Sequence, residues 1–133
     1  MIVVDTNVIA YLLIDGQHTA AARATLARDP EWAAPLLWRS ELRNVLALYL
    51  RKRDLSLRQA TTLQETAEEI LLGREHHVAS HDVLALAKLS GRSAYDCEFV
   101  ITARHFRVKL ITSDRQLLAS FPDDAVALAT FAE

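Results

Sequence analysis

Residues 2–13, IVVDTNVIAYLL, decide how the chain is read: three consecutive apolar residues, Ile2-Val3-Val4, end on an acid, and a second apolar-rich stretch follows at once. A short continuous apolar run suits a strand buried on both faces, and such strands belong to parallel sheets covered by helices. Comparable runs at Trp32–Ala34, Val78–Ala79, Leu110–Thr112 and Val126–Leu128 predict further strands, separated by longer amphipathic stretches. The alternation predicts an α/β fold: three layers, α/β/α, around a short central parallel sheet. With 133 residues, 51% of them hydrophobic, the chain is long enough for one core and short for two, so residues 1–133 are read as a single domain.

Helix boundaries are signalled by capping chemistry. Pro35 is expected at the first position of a helix reaching Arg51. Ser56 and Gln59 have capping-box spacing for a helix closed by Gly73, with Leu57, Ala60, Leu63, Ala67 and Ile70 or Leu71 as its apolar stripe. Ser80 is expected to cap a helix ending near Gly91, and Ser93 the next, which runs to about Phe106.

Composition excludes several function classes. Fifteen Lys plus Arg against 17 Asp plus Glu give a net charge of -2, so no overall basic field draws the chain to nucleic acid. Its three glycines are scattered, which excludes a Gly-rich phosphate loop, and the lone Cys97 excludes an intramolecular disulfide and a Cys-rich zinc site. The single cysteine fits a reducing compartment, with the cytoplasm as default. No basic leader opens the sequence and no apolar run approaches the roughly 20 residues that span a bilayer, so neither secretion nor membrane insertion is expected.

Four acids carry the functional reading. Asp5 ends the first strand and Asp114 follows Leu110-Ile111-Thr112 with only Ser113 between, which puts both at carboxyl ends of strands, where open parallel sheets bind ligands. Helical spacing aligns Glu41 with Leu37, Val45 and Leu48, and Asp96 with Phe99, Val100, Ala103 and Phe106 or Arg107, so two acids interrupt core-facing stripes. Each has a structural alternative. Asp5 and Asp114 suit N-caps, Asp96 suits a capping box with Ser93, and Glu41 suits a salt bridge to Arg39, Arg43 or another base. The conjunction favours a shared role, because four converging carboxylates repel one another without a cation. Oxygen ligands with no supporting His or Cys point to Mg²⁺ or Mn²⁺ rather than zinc.

The opening IVVDTNVIAYLL, the segment WRSELRNVLALYL and the block SAYDCEFVITARHFRVKLITSDRQLL, in this order, resemble the PIN-domain nucleases, and specifically the VapC-like toxins of prokaryotic toxin-antitoxin pairs. The likeness covers essentially the whole chain. It implies a PIN-like fold and a metal-dependent endoribonuclease in which Asp5, Glu41, Asp96 and Asp114 bind the metal and are catalytic. Thr6, Asn7, Thr112 and Ser113 would support them through hydrogen bonds. It also implies a homodimer and a cognate antitoxin whose tail covers the acidic groove, docking on the helices at Pro35–Arg51 and Ser56–Leu72. Some family members carry another acid where this chain has Gln116, Leu117 and Leu118, which bears on a second metal.

Other residues take secondary readings. Glu98 lies on a different helical face from Asp96, in line with Thr102 and His105, and is read as solvated or supporting. Arg39, Arg43, Arg104 and Arg107 are candidate RNA contacts, as are Arg51-Lys52-Arg53 and Lys109, all suited to phosphates rather than base edges. Trp38 and Tyr95 suit either base stacking or packing, His77 and His81 a surface or structural role, and Cys97 the core. Metal-assisted in-line displacement would leave 5′-phosphate and 3′-hydroxyl ends. Two rival readings remain: an aspartate-nucleophile phosphatase of the haloacid dehalogenase type, which would favour a second Asp where Asn7 stands, and a PIN-like binding domain without activity.

Overall fold

The computed structural model describes residues 1–133. Strand β1 (Ile2–Val4) lies at the middle of an all-parallel sheet between β2 (Trp32–Pro35) and β4 (Leu110–Thr112), with β3 (Glu75–His76) and β5 (Ala125–Ala127) at the edges. Every residue of β1, β2 and β4 is buried, as strands covered on both faces require. Helices α1 (Thr6–Leu13) and α2 (Thr19–Arg28) connect β1 to β2, and α3 (Leu37–Arg51) and α4 (Leu57–Ile70) connect β2 to β3. Helices α5 (Ser80–Ser90) and α6 (Ala94–Phe106) lead to β4; α7 (Arg115–Ser120) leads to β5, and α8 (Leu128–Phe131) follows it. Helices α1, α3 and α4 pack together, α5 packs on α6, and α6 lies against β1, β2 and β4, giving the α/β/α layers. Buried apolar residues, with Trp32 and Trp38 the largest, form one continuous cluster on both sides of the sheet.

The strand order β3-β2-β1-β4-β5 positions the site. The chain moves outward from β1 through β2 to β3, then returns to the opposite side of β1 for β4 and β5. Connections therefore diverge between β1 and β4, opening a crevice at the carboxyl ends of those two strands.

Local chemistry accounts for most boundaries. Ser56 Oγ accepts from the Gln59 amide at 3.1 Å while the Gln59 side chain accepts from the Ser56 amide at 2.8 Å, completing the capping box. Ser93 Oγ caps α6 through the Asp96 amide at 3.1 Å, and Gly91 closes α5 in the left-handed region at φ 71°.

Four expectations are corrected. The third strand is Glu75–His76 rather than Val78–Ala79, because a short edge strand needs only half-burial and Glu75 is held by ion pairing; Ala79 instead precedes α5 as its N-cap. Pro35 ends β2 and does not begin a helix: at the strand's last residue its missing N–H is harmless, and the next amide, Leu36, bonds the His76 carbonyl at 3.1 Å. Ser80 is the first residue of α5 and makes no cap. Leu57 stands at the start of α4 with 72% of its surface exposed, outside the stripe formed by Ala60, Ala67 and Leu71.

Candidate active site

Strand register brings the ends of β1 and β4 together. Val4 pairs with Ile111, so Asp5 follows β1 beside Thr112, and the Asp5 amide bonds the Ile111 carbonyl at 3.0 Å. The Thr112 hydroxyl, fully buried, donates to Asp5 Oδ2 at 2.7 Å and accepts from the Asp114 amide at 3.0 Å, tying the two acids to one side chain. Asp5 occupies the N-cap position of α1 without making a side-chain cap bond. Asp114 does cap α7: its Oδ1 accepts from the Gln116 and Leu117 amides at 2.8 and 3.2 Å. The cap leaves Asp114 Oδ2 without a protein donor, so capping and ligand binding are compatible here.

Glu41 reaches this crevice from α3. Its Oε1 accepts from the Thr6 hydroxyl, on the first residue of α1, at 2.7 Å. Neither Arg39 nor Arg43 pairs with it, which removes the salt-bridge alternative. Arg39 is engaged by Glu68 at 2.6 Å and by both oxygens of Glu75, whose Oε1 also accepts from Trp38 Nε1 at 2.8 Å. The buried ridge of α3 is Trp38, Leu42 and Leu46, whereas Leu37, Glu41 and Val45 form a half-buried flank and Leu48 is exposed. An acid on that flank stays near water while facing the sheet edge, a milder position than the core stripe expected.

Asp96 and Glu98 come from the first turns of α6, and both are half-buried. Arg92 Nη2 stands 3.5 Å from Asp96 Oδ2 and donates to Gln116 Oε1 at 2.7 Å, while its buried Nε has no partner. Arg92 was missed in the sequence, although its spacing of four from Asp96 was a readable signal. Tyr11 was also missed; its hydroxyl lies 3.1 Å from Ser113 Oγ, linking α1 to the loop that carries Asp114.

These acids sense one another. Burial pushes the Asp5 carboxyl above its ordinary range; Thr112 and the Asn7 amide partly offset this, while the charges of Asp114 and Asp96 push the same way as burial. Burial also raises Glu41, opposed by the Thr6 hydrogen bond and reinforced by Asp5, Asp96 and Glu98. Burial alone raises Glu98, so this side chain is neither fully solvated nor remote from Glu41. No three carboxylates are close enough to form a ready-made metal shell. The donor set nonetheless fits a hard cation: all oxygens, mutually repelling, and with Glu41 Oε2 and Asp114 Oδ2 free of protein donors.

The remaining candidates are dispersed. Arg104 makes a two-pronged pair with Asp124 at 2.9 and 3.0 Å, about 12 Å along α6 from Asp96. Arg39 and Arg104 therefore cannot meet a phosphate without giving up a carboxylate. Arg43 and Arg107 are exposed, as are Asn7, His77 and His81. Trp38 is buried, which fits packing, and Tyr95 is 64% exposed. Cys97 is buried, with its thiol pushed up by burial.

The profile of the PIN domain family matches residues 2–121. The chain is 29% identical over 124 residues to Ribonuclease VapC3 of Pyrobaculum aerophilum, covering 91% of this chain and 95% of that relative. Its fold resembles a crystal structure from Pyrobaculum aerophilum with a TM-score of 0.77, at 21% identity over 98% of this chain and 85% of the other. It also resembles a toxin-antitoxin complex from Klebsiella pneumoniae, with a TM-score of 0.71 at 20% identity over 96% of this chain and 98% of that one. A third likeness is to FitAcB from Neisseria gonorrhoeae, with a TM-score of 0.68 at 21% identity over 96% of each chain.

Proposed function

Because the chain belongs to the PIN domain family, matched over residues 2–121, we propose that it is a divalent-metal-dependent endoribonuclease and the toxin of a toxin-antitoxin pair. The observation that carries this reading is that one buried hydroxyl, Thr112, bonds both the Asp5 carboxylate and the Asp114 amide at the β1–β4 crevice, with Asp96 and Glu41 within electrostatic reach of Asp5. Asp5, Glu41, Asp96 and Asp114 would hold Mg²⁺ or Mn²⁺. When bound, such an ion supplies Lewis-acid polarisation of a phosphoryl oxygen and a water of lowered pKa.

The chain's own residues orient the carboxylates. Thr112 occupies one oxygen of Asp5 and Thr6 one oxygen of Glu41, each fixing its carboxylate while leaving the second oxygen without a side-chain donor. Asn7, Ser113 and Glu98 would support them: the Asn7 amide favours the Asp5 carboxylate, Ser113 Oγ lies 3.1 Å from the Tyr11 hydroxyl, and Glu98 adds negative charge near Glu41. Arg92 beside Asp96 brings a fixed positive charge to the rim of the crevice, suited to a substrate phosphate. No histidine joins the acids, so attack is by water rather than by the RNA 2′-hydroxyl, and the products carry 5′-phosphate and 3′-hydroxyl ends.

The same reading assigns a small antitoxin as partner, in keeping with the toxin-antitoxin complex among the similar structures. Its docking surface would be the outer faces of α3 and α4, where a cavity of about 400 Å³ is lined by Arg43, Leu46, Leu50 and Glu68 among others. A homodimer and a cytoplasmic location complete the proposal; no helix is long and apolar enough to cross a membrane. The test is incubation of total RNA with wild type and Asp5→Asn, with and without Mg²⁺ or Mn²⁺, followed by mapping of the ends. The proposal expects metal-dependent cuts with 5′-phosphate ends from wild type alone; 2′,3′-cyclic phosphate ends, or equal cutting by Asp5→Asn, would overturn it.

A further inference from the structure

A cavity of about 290 Å³ lies between α1, α3 and the start of α2, and none of the four acids lines it. It is lined by Asn7 and Tyr11 of α1, Val45 and Tyr49 of α3, and Gln17 and His18 ahead of α2. Three of these residues connect it to the site. Asn7 lies two residues beyond Asp5, Val45 lies one turn beyond Glu41, and the Tyr11 hydroxyl meets Ser113 Oγ. A rise of 1.5 Å per residue sets Asn7 and Tyr11 about 3 and 9 Å along α1 from Asp5, within reach of a nucleotide next to a phosphate held at the acids.

The lining chemistry selects the kind of group that fits. Tyr11 and His18 form an aromatic corner, with ring centres 4.5 Å apart and planes tilted by 37°, and Tyr49 adds a third ring. Asn7 and Gln17 bring amides that both donate and accept. The cavity has no lysine or arginine, and its one acid, Asp15, pairs with Arg23 at 3.4 Å, so nothing there attracts phosphate. Its volume of about 290 Å³ lies just below the range of about 300–1,000 Å³ for ligand pockets, room for a single planar ring system but not a base pair. Aromatic walls with amide edges are the means by which proteins seat unpaired bases.

We propose that this cavity is a nucleobase subsite, which seats an unpaired base flanking the scissile phosphate and thereby sets the sequence preference of cleavage. The inference rests on the nuclease reading above and adds the feature of RNA that is read. It is tested by cutting a pool of random-sequence single-stranded RNA oligonucleotides with wild type, Gln17→Ala, His18→Ala and Tyr49→Leu in Mn²⁺, and sequencing the ends. Gln17 is exposed and His18 makes no helix-cap bond, so those two variants preserve the fold, as thermal melting would verify. The expected result is that wild type favours particular bases at one position beside the cut and the variants lose that preference. His18→Ala and Tyr49→Leu should also lose roughly 5- to 150-fold in kcat/KM through KM, as the removal of one stacking partner implies. Wild type that cuts no RNA would sink the nuclease reading and the subsite with it. Wild type and variants cutting with the same preferences and rates would sink the subsite alone and leave the cavity to a protein partner.

Discussion

Replacing Thr112 by Val removes one hydroxyl and with it the bridge between the two strand-end acids. The side chain is fully buried and the shapes are nearly equal, so the effect is that of two hydrogen bonds rather than of packing. At a pH above the raised Asp5 value the bond to Asp5 has an ionised acceptor, worth about 1.5–3 kcal/mol, and the Asp114 amide loses its partner at a cost of about 1 kcal/mol. Burial of the added methyl returns roughly 0.8 kcal/mol. The net loss is about 2–3 kcal/mol. With an unfolding entropy of about 2.1 cal/mol/K per residue over 133 residues, this lowers Tm by about 7–11 °C. Thr112→Ser keeps the oxygen and loses only a methyl, so its drop should be nearer 3 °C. In an Asp5→Asn background the Val substitution should cost about 1 kcal/mol less, because the acceptor is no longer charged. Thermal melting of five chains in chelator, wild type, Thr112→Val, Thr112→Ser, Asp5→Asn and the double variant, measures all three quantities. A Tm for Thr112→Val within about 2 °C of wild type would refute the assignment of Thr112 as the bridge.

Three further outcomes follow from the same geometry. Asp5 and Glu41 hold protons more tightly in the folded chain than in the unfolded one, so the stability they contribute is fully present below the ordinary carboxylate range and is lost as pH rises through their raised values. The Tm advantage of Asp5→Asn over wild type in chelator should therefore grow as pH rises through the Asp5 value and then level off; an advantage that shrinks with pH would contradict this. Arg39→Met leaves Glu75 and Glu68 without their cation and should cost about 1–2 kcal/mol after allowance for partial exposure, with the cutting rate per folded molecule unchanged. Arg92→Gln removes a fixed positive charge beside Asp96 and should lower the Mg²⁺ concentration for half-maximal thermal stabilisation roughly two- to fivefold; an increase would show that Arg92 does not oppose the cation.

The centre of the sheet was legible because β1 and β4 are buried on both faces and announce themselves as apolar runs, and the acids that close those runs inherit their position from the strands. Edge strand β3 was not legible: its two residues, Glu75 and His76, are polar, and what fixes them is pairing with Ala34 and Pro35 and the distant Arg39. Pro35 misled for a related reason, since its ring fits a strand end as well as a helix start, and only the Leu36–His76 bond distinguishes the two. Within the candidate site, spacing predicts core-facing positions for Glu41 and Asp96, whereas both are half-buried, and it says nothing of what holds the acids. The Thr112–Asp5 bond depends on strand register, and the Thr6–Glu41 bond on the packing of α1 against α3, neither of which has a local signature. Charge alone likewise made Arg39 and Arg104 look available, when Glu75, Glu68 and Asp124 already occupy them.

The most direct test of the central proposal is titration of the chelated protein with Mn²⁺, followed by the electron paramagnetic resonance signal of the free ion. Uptake of Mn²⁺ by wild type, weakened at least tenfold by each of Asp5→Asn, Glu41→Gln, Asp96→Asn and Asp114→Asn in variants that still fold, is the predicted result. Unchanged uptake when all four are replaced together would show that these carboxylates do not hold the ion.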